Sequence, residues 1–191
     1  TQTGLTYTSQ IIDNTGAFEI TGISLASNYA ALRVDGYYFN EVCGEQSSSQ
    51  ITLNAISVIS DDRNININVL THLEKARVEY LMTNNSLTID EAKSQAQSEV
   101  LAIFNISESI DSSEDLDISS QTTGDAVLIA VSSILQGFRS ESEYSELMAN
   151  IITDIRTDGE LNSSSLGSQL ISQAVLLNAS DITSNLISRY E

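Results

Sequence analysis

The hydrophobic period of this chain changes near Asn68, and that change constrains the fold more than any other feature of the sequence. Upstream, apolar and polar residues alternate in four short runs: "LTYTSQIID" (5–13), "AFEITGISL" (17–25), "YAALRVDGYYFNEV" (29–42) and "SQITLNAISVI" (49–59). Downstream, Val69, Leu73, Ala76 and Tyr80 recur at steps of three and four residues. A period of two is typical of strands, and a period of about 3.6 is typical of helices. The sequence therefore predicts an α+β fold.

Residues 1–66 are predicted to form a small antiparallel β-sandwich of four or five short strands. Glycines separate the runs, and Asp35-Gly36 is a hairpin turn signal. So thin a sandwich has edges whose N–H and C=O groups need partners. The helices, further strands upstream in a longer parent, or a strand from another chain could each supply them, so an incomplete sandwich is one of the expectations. Residues 1–13 are the natural donor or acceptor of an exchanged strand.

Residues 67–191 are predicted to form an all-α bundle of five or six helices. Thr88 with Glu91, and Ser140 with Glu143, have the spacing of capping boxes. The acidic, serine-rich stretch 105–124 is predicted to be a loop that is either mobile or wraps over the bundle. Its carboxylates are interpreted as a solvated face.

Charge and cysteine content exclude several classes of function. The formal net charge is −18 with only eight Lys and Arg residues, which excludes nucleic acid as a partner. No apolar run approaches the roughly 18 residues of a membrane-spanning helix, so no transmembrane segment is predicted. The single cysteine, Cys43, allows no internal disulfide and has no cationic neighbour to activate it.

His72, the only histidine, lies where the period changes. A zinc site there would need further nitrogen or sulfur ligands, and a Ser-His-Asp triad would need a nucleophile motif that the sequence lacks. We therefore interpret His72 as a packed residue at the junction of the β and α parts. No catalytic residue and no obligatory cofactor are predicted.

A degenerate calcium loop is a weaker prediction. In "DIRTDGELN", Asp154, Asp158 and Asn162 have the spacing of loop ligands around Gly159. Arg156 occupies a ligand position with a positive charge, and Ser165 stands where a bidentate acid belongs. The alternative is a helix end, an Asp-Gly turn and the cap of the next helix.

Tyr37 and Tyr38 are candidate ligand-binding residues, because exposed aromatic rings can stack on sugars. Alternation along the strand places them on opposite faces, so one of the two is expected in the core. A glycan is therefore a further candidate partner.

Several stretches together resemble a recurrent module of secreted and surface lipoproteins of Bacteroidota-type bacteria. The stretches that carry the resemblance are "TGAFEITGISL", "VDGYYFNEVCGE", "ITLNAISVISD", "NINVLTHLEKARVEYLM", "IDEAKSQAQSEVLAIFNI", "ILQG" and "NIITDIRTDGELNSSSLGSQLI". The resemblance implies an extracellular or outer-surface location, and a β-sandwich joined to a helical domain. It implies no activity and no catalytic residues.

The function expected from the sequence is that of a non-enzymatic extracellular or cell-surface module. Its role would be structural, adhesive or in assembly, including that of a filament subunit completed by strand exchange with other copies. The alternative is an extracellular glycan-binding protein or glycan-acting enzyme.

Overall fold

The computed structural model describes residues 5–13, 15–59 and 64–190. Within them, four antiparallel strands form two two-stranded sheets, β1 with β4 and β2 with β3. The strands are β1 (Tyr29–Gly36), β2 (Phe39–Asn40), β3 (Glu45–Gln46) and β4 (Ile51–Val58). The long ribbon pairs Tyr29 with Val58 and Gly36 with Ile51 at its two ends.

Six α-helices follow in the described part of the chain. They are α1 (Val69–Asn84), α2 (Ile89–Ile103), α3 (Thr123–Gln136), α4 (Glu141–Ile155), α5 (Ser164–Leu176) and α6 (Ala179–Tyr190). A short 3₁₀ helix, Ser113–Asp115, lies between α2 and α3. The predicted α+β class, a small antiparallel β part followed by a helical bundle of five or six helices, is confirmed. None of the described helices combines the length and the apolar character that crossing a membrane requires.

The runs 5–13 and 17–25 were predicted as strands, but their described residues form none. They run antiparallel as an extended pair, in which Ile12 N donates to Ala17 O at 2.8 Å and Tyr7 Oη donates to Ser24 O at 3.2 Å. Alternation creates a face that a sheet can bury, but no neighbour among the described residues buries it here. Residues 1–4 of the proposed exchange segment 1–13 lie outside the described residues.

Helix starts follow from side-chain caps. The predicted capping boxes at Thr88 and Ser140 are both confirmed, each with a glutamate that bonds back to the cap N–H. Two further boxes begin α1 at Asn68 and α3 at Thr122. Each cap provides acceptors for backbone N–H groups that a helix start leaves without intrahelical partners.

The main hydrophobic core lies among the helices and one end of β4. Leu73 on α1, Leu135 on α3 and Ile151 on α4 are fully buried in it, together with Ile51 of β4. A second cluster joins Ile56 of β4 to buried residues of α1 and α2. Both clusters therefore hold the ribbon against the helices through β4.

The acidic loop wraps over the bundle and is fixed to it. Asn66 Nδ2 donates to Leu116 O at 3.0 Å, and Asn68 Nδ2 donates to Ser113 O at 2.6 Å. Leu116 is buried in the main core. The interpretation of this stretch as a solvated face is therefore wrong for Glu114, whose side chain is buried.

Candidate functional site

The two outer edges of the β1–β4 ribbon differ. At β4, the backbone N–H of Asn54 donates to His72 Nδ1 at 3.1 Å, and Ile56 O accepts from Lys93 Nζ at 3.2 Å. Side chains from α1 and α2 therefore occupy this edge. This arrangement keeps a third strand from pairing there.

The outer edge of β1 is open. Because the Asn54 amide bonds to His72, the pair Arg33–Asn54 is a non-hydrogen-bonded pair of the antiparallel ladder. The N–H and C=O of Arg33 therefore point away from β4, and those of Ala31 and Asp35 do so by alternation. No backbone hydrogen bond joins these outward groups of the three residues to another described residue.

The extended segments near the N-terminus expose a row of large apolar side chains. The exposed fractions are Leu5 65%, Ile11 40%, Ile12 70%, Phe18 36%, Ile23 39% and Leu25 40%. Ile11 lies close to the end of β1, since a Cβ placed on Gly36 would be 3.4 Å from Ile11 Cδ1. Exposed apolar residues on an extended backbone next to an open strand edge are the components of strand addition.

A buried polar cluster joins β4, α1, α2 and the acidic loop. Lys93 Nζ lies 2.5 Å from Glu114 Oε2, and Ser57 Oγ donates to Glu114 Oε1 at 2.9 Å. Ser113 Oγ donates to Glu74 Oε1 at 2.5 Å. We call Ser57, Glu74, Lys93, Ser113 and Glu114 the polar cluster.

The charges of the polar cluster balance at neutral pH. Burial alone would raise the pKa of Glu114, but the hydrogen bond and charge of Lys93 bring that pKa below its usual value. Burial raises the pKa of Glu74 to about 8, so its carboxyl keeps a proton. The five residues of the polar cluster thus combine the Lys93–Glu114 ion pair with the neutral acid Glu74.

A second buried ion pair fixes the end of α4. Arg77 donates to both carboxylate oxygens of Glu99 at 2.7 and 2.9 Å, and to Thr157 O at 2.7 Å. Gly159, with φ of +80°, turns the chain beside Glu99, where a Cβ would collide with the carboxylate. Only glycine therefore fits this turn.

Glu41 is a buried acid in different surroundings. It lies in the turn between β2 and β3, where Asn40 Nδ2 donates to Gly137 O at 3.3 Å and so holds the turn against the end of α3. Ser132 Oγ donates to Glu41 Oε1 at 3.3 Å. Burial raises the pKa of Glu41 to about 7.

Three buried polar atoms near this end of α3 have no hydrogen-bond partner among the described residues: Glu41 Oε2, Ser133 Oγ and Gln136 Oε1. Buried polar atoms in native proteins are nearly always paired, so three in one neighbourhood are unusual. We call Glu41, Ser133 and Gln136 the unsatisfied group.

A mostly apolar cleft of about 650 Å³ lies between α3 and α6, beside the end of α5. We call it the α3–α6 cleft and define it by Ile129, Ser133, Ile182, Leu186, Ile187 and Tyr190. Helix α6 is held over it at one side by Asn185, whose Nδ2 donates to Glu41 O at 2.9 Å. Gly44 lies under Asn185, where a Cβ would approach the side-chain amide to 2.7 Å.

His72 lies at the junction between β4 and α1, as the sequence predicted. Because Nδ1 accepts the Asn54 N–H, the ring proton is assigned to Nε2. Burial, followed by the charge of Lys75, lowers the pKa of His72 to about 4. The imidazole is therefore neutral at physiological pH and serves as an acceptor for the strand edge.

Asp154, Asp158 and Asn162, the predicted calcium ligands, lie together where the last turn of α4 connects to α5. Asp154 Oδ2 accepts from Asn162 N at 2.7 Å and from Ser163 N at 3.1 Å. Asp158 Oδ2 accepts from Asn162 Nδ2 at 2.9 Å. The pKa of Asp158 is lowered, chiefly by the hydrogen bond that its carboxylate accepts from the Glu160 N–H. These oxygens bind N–H groups, and no cluster of three metal-ligating acids, histidines or cysteines occurs in the described residues.

Tyr37 and Tyr38 are separated by the alternation that the sequence indicated. Tyr37 is 58% exposed. Tyr38 packs edge-to-face on Tyr144 at 5.4 Å between ring centroids. Burial, with smaller contributions from Glu141 and Glu41, raises the pKa of Tyr38 to about 12. Tyr37 alone is placed to contact a ligand in solvent.

Cys43 shows no sign of activation. Its Sγ lies 3.9 Å from Gly137 O, and burial followed by the charge of Glu45 raises the pKa of the thiol. A raised pKa lowers the fraction of reactive thiolate.

Sequence reasoning missed the polar cluster, although one signal was present. Lys93 falls at helical spacing between Ile89 and Ala96, on the core-facing side of α2. Glu74 likewise follows Leu70 by four residues on the buried side of α1. A charge on an apolar stripe predicts a buried partner, but its identity depends on tertiary contacts. Glu41 gave no such signal, because it lies in a turn.

Comparison of this chain with protein-family models, with curated proteins and with solved structures finds no match.

Proposed function

We propose that this protein is a non-enzymatic extracellular or cell-surface module that assembles with other protein chains, including further copies of itself, by strand addition at β1. The observation that carries the proposal is the difference between the two ribbon edges. The β4 edge bonds to His72 and Lys93, whereas the outward groups of Ala31, Arg33 and Asp35 bond to no other described backbone group.

The exposed apolar side chains within residues 5–13 and 17–25 support the same proposal. Strand addition needs an extended donor whose alternate side chains can be buried once the strand is paired. Leu5, Ile11 and Ile12 are exposed in an extended backbone. Residues 1–13 are therefore the proposed donor, with the β1 edge as acceptor.

The surface location is proposed from charge. A net charge of −18 keeps a protein soluble and resists nonspecific association, which suits a solvent-facing module. A specific backbone contact such as strand addition then determines which chains associate.

The proposal is tested by light scattering of the purified protein and two variants at one position. Arg33→Pro removes the outward N–H and leaves the β1–β4 ladder intact, since proline is tolerated at a solvent-facing strand edge. Arg33→Ala loses the same exposed ion pair with Asp35 but keeps the N–H. Oligomers of the wild type should persist in Arg33→Ala and disappear in Arg33→Pro.

Deletion of residues 1–13 should also abolish assembly by removing the donor. Assembly that survives both the deletion and Arg33→Pro contradicts the proposal, as does a wild-type protein that stays monomeric at every concentration. Thermal melting of the same samples with added calcium and with a chelator tests the Asp154 loop, because a bound ion would raise the melting temperature.

Glycan binding is the second candidate, and the exposed ring of Tyr37 is the observation that favours it. A glycan array should then lose its signal with Tyr37→Ala. Phe138→Ala is the matched control, since Phe138 is an aromatic residue of similar exposure, 61% against 58% for Tyr37. A signal unaffected by Tyr37→Ala, or no signal with the wild type, excludes this candidate.

A further inference from the structure

We propose that the proton on the buried carboxyl group of Glu41 controls how firmly α6 is held. While the carboxyl is protonated, the turn of residues 41–44 stays packed against α3 and holds α6. When the carboxyl ionises, the turn moves outward and α6 separates from α3. We call residues 41–44 the Glu41 turn. This inference is independent of strand addition, because the β1 edge is not part of the region that moves.

The Glu41 turn is hydrogen-bonded to both α3 and α6. On one side, Asn40 Nδ2 donates to Gly137 O at the end of α3, and Asn40 Oδ1 accepts from Val42 N at 2.9 Å. On the other side, Asn185 Nδ2 of α6 donates to Glu41 O at 2.9 Å and to Val42 O at 3.3 Å. An outward displacement of the turn would therefore break the bonds to Asn185.

Helix α6 has little apolar contact of its own to hold it. Ile182 is the only one of its described residues that is buried. Ile187 and Tyr190 line the α3–α6 cleft but remain 50% and 46% exposed. Elements with few buried apolar contacts open locally at a low cost in free energy. We therefore expect loss of the Asn185 bonds to shift α6 toward an open state.

The carboxyl group of Glu41 is poorly placed to carry a charge. The residue is 2% exposed, Oε1 accepts only the 3.3 Å hydrogen bond from Ser132, and Oε2 has no partner among the described residues. Burial, which hydrogen bonds offset only in part, raises the pKa of Glu41 to about 7. An ionised buried group without a cation favours any rearrangement that returns it to water.

The titratable groups that face Glu41 are mostly neutral. Burial, with the charge of Glu41 as a further cause, raises the pKa of Tyr38 beside β2, of Tyr144 on α4 and of Tyr190 on α6. Cys43 in the turn itself also has a raised pKa, first through burial. Since these groups are uncharged at neutral pH, they do not compensate the charge of an ionised Glu41.

The charged groups nearby do not pair with Glu41 either. Arg189 on α6 lies 5.5 Å from the centre of the Phe39 ring, and Arg139 after α3 donates to Leu135 O at 2.8 Å. Among the described residues, neither guanidinium donates to the Glu41 carboxylate. The other charges that act on the surrounding phenols and thiol are the acids Glu45, Asp117 and Glu141. Acids disfavour a further negative charge, so they strengthen the response to ionisation.

The direction of the pH dependence follows from the two pKa values. In the open state the Glu41 carboxyl is in water with its ordinary pKa of 4.5, and in the closed state its pKa is about 7. The closed state therefore binds the proton more tightly. The equilibrium constant for opening should rise about tenfold for each pH unit between 4.5 and 7, and stay constant at higher pH. Helix α6 is thus held most firmly in acid.

The test is amide hydrogen exchange of the full chain, read by mass spectrometry on peptides from α6 at several pH values from 5 to 8. Each rate is divided by the intrinsic chemical rate at the same pH, which leaves the equilibrium constant for opening. In the wild type, this constant should rise roughly 50- to 100-fold between pH 5 and pH 8.

Three variants separate the role of Glu41 from general effects of pH. Glu41→Gln and Glu41→Met are uncharged at every pH, so the opening of α6 should lose its pH dependence in both. Glu74→Gln is the matched control, because Glu74 is also a buried acid with a raised pKa but belongs to the polar cluster. The opening of α6 in this variant should keep the pH dependence of the wild type.

Asn185→Ala tests the connection between the turn and the helix. Without the bonds from Asn185, α6 should exchange faster at pH 5 and respond little to pH, because movement of the turn no longer affects the helix.

Wild-type α6 with the same opening constant at pH 5 and pH 8 overturns the proposal. So does a full pH dependence that persists in Glu41→Gln and Glu41→Met, or one that disappears in Glu74→Gln, because the controlling group would then be elsewhere. An Asn185→Ala variant whose α6 is as protected at pH 5 as that of the wild type would show that the turn does not hold the helix, and would likewise overturn it.

Discussion

The molecule contains two buried polar regions whose polar groups differ in how completely they are paired. In the polar cluster, Lys93 lies against Glu114, and Glu74 retains a proton and accepts from Ser113. In the unsatisfied group, Glu41 Oε1 accepts from the Ser132 hydroxyl at 3.3 Å, and Glu41 Oε2 has no partner among the described residues.

The difference indicates what each region is for. A paired interior fixes one arrangement of β4, α1, α2 and the acidic loop, because moving any member breaks a buried hydrogen bond or the Lys93–Glu114 ion pair. The buried polar atoms without partners in the unsatisfied group lower the free energy of unfolding, and Ser133 of this group lines the α3–α6 cleft. Sites that retain such costs are often the ones that bind something.

The largest effect is expected for Lys93→Met, which removes the ammonium that Glu114 bonds. Breaking a buried ion pair by deleting one partner costs about 3–5 kcal/mol of the free energy of unfolding. Guanidinium unfolding measures the loss. The double variant Lys93→Met with Glu114→Gln should recover part of it, since the buried charge is then also removed. A loss below about 1 kcal/mol would show that the polar cluster is not held together by this pair.

Glu41→Gln is expected to stabilise the protein above pH 7. The folded-state pKa of Glu41 is raised from 4.5 to about 7, so its stabilising contribution is complete below pH 4.5 and is lost as pH rises to about 7. Glutamine mimics the protonated acid and avoids the loss. The free energy of unfolding of both proteins should be measured from pH 4 to 9. The advantage of the variant should grow between pH 4.5 and 7 to roughly 3 kcal/mol and then stay constant.

Glu74→Gln is the control for that pH profile. The pKa of Glu74 is raised from 4.5 to about 8, so the gain in this variant should continue to grow up to about pH 8. Identical profiles for the two variants, or a Glu41→Gln variant less stable than the wild type at pH 8, would contradict the distinction between the two regions.

Ser133→Ala should raise the free energy of unfolding by about 1 kcal/mol, because it deletes a buried hydroxyl that has no partner. Ser113→Ala is the matched control in the polar cluster. It should destabilise the protein, since Ser113 Oγ donates to Glu74. Thermal unfolding of both variants in the same buffer compares the regions directly, and a loss of stability in Ser133→Ala would mean that its hydroxyl is satisfied in solution.

The smallest effect is expected for Lys75→Met. Lys75 lies one turn from Glu79 on α1, with Nζ 2.7 Å from Oε1, but the Glu79 side chain is 45% exposed. Exposed pairs four residues apart contribute about 0.3–0.5 kcal/mol. Denaturant unfolding should therefore place this variant within about 0.5 kcal/mol of the wild type. A larger loss would mean that α1 depends on surface charge as well as on its buried side.

Local signals predicted much of the helical part. The spacing of Thr88 with Glu91, and of Ser140 with Glu143, located the starts of α2 and α4 because capping is a contact between near neighbours. Likewise, the period change located His72 at the β–α junction. These features depend on residues only a few positions apart.

Features that depend on distant partners were not predicted. Glu114 lies in an acidic stretch typical of a solvated loop, but its buried side chain bonds to Lys93, 21 residues earlier, and to Ser57, 57 residues earlier. Alternation in 5–13 and 17–25 predicted strands, but a strand also needs a neighbour with unpaired N–H and C=O groups. The cleft requires α3 and α6 to lie side by side, which neither helix sequence specifies alone.

The open edge of β1 and the occupied edge of β4 also restrict the symmetry of any assembly formed by strand addition. Two β1 edges that pair antiparallel about a twofold axis use up both acceptors, so that contact ends at a dimer. A donor segment from one chain on the β1 edge of the next leaves a donor and an acceptor at opposite ends. That contact repeats in one direction, and it closes into a ring or continues as a polar fibre according to the rotation between successive subunits.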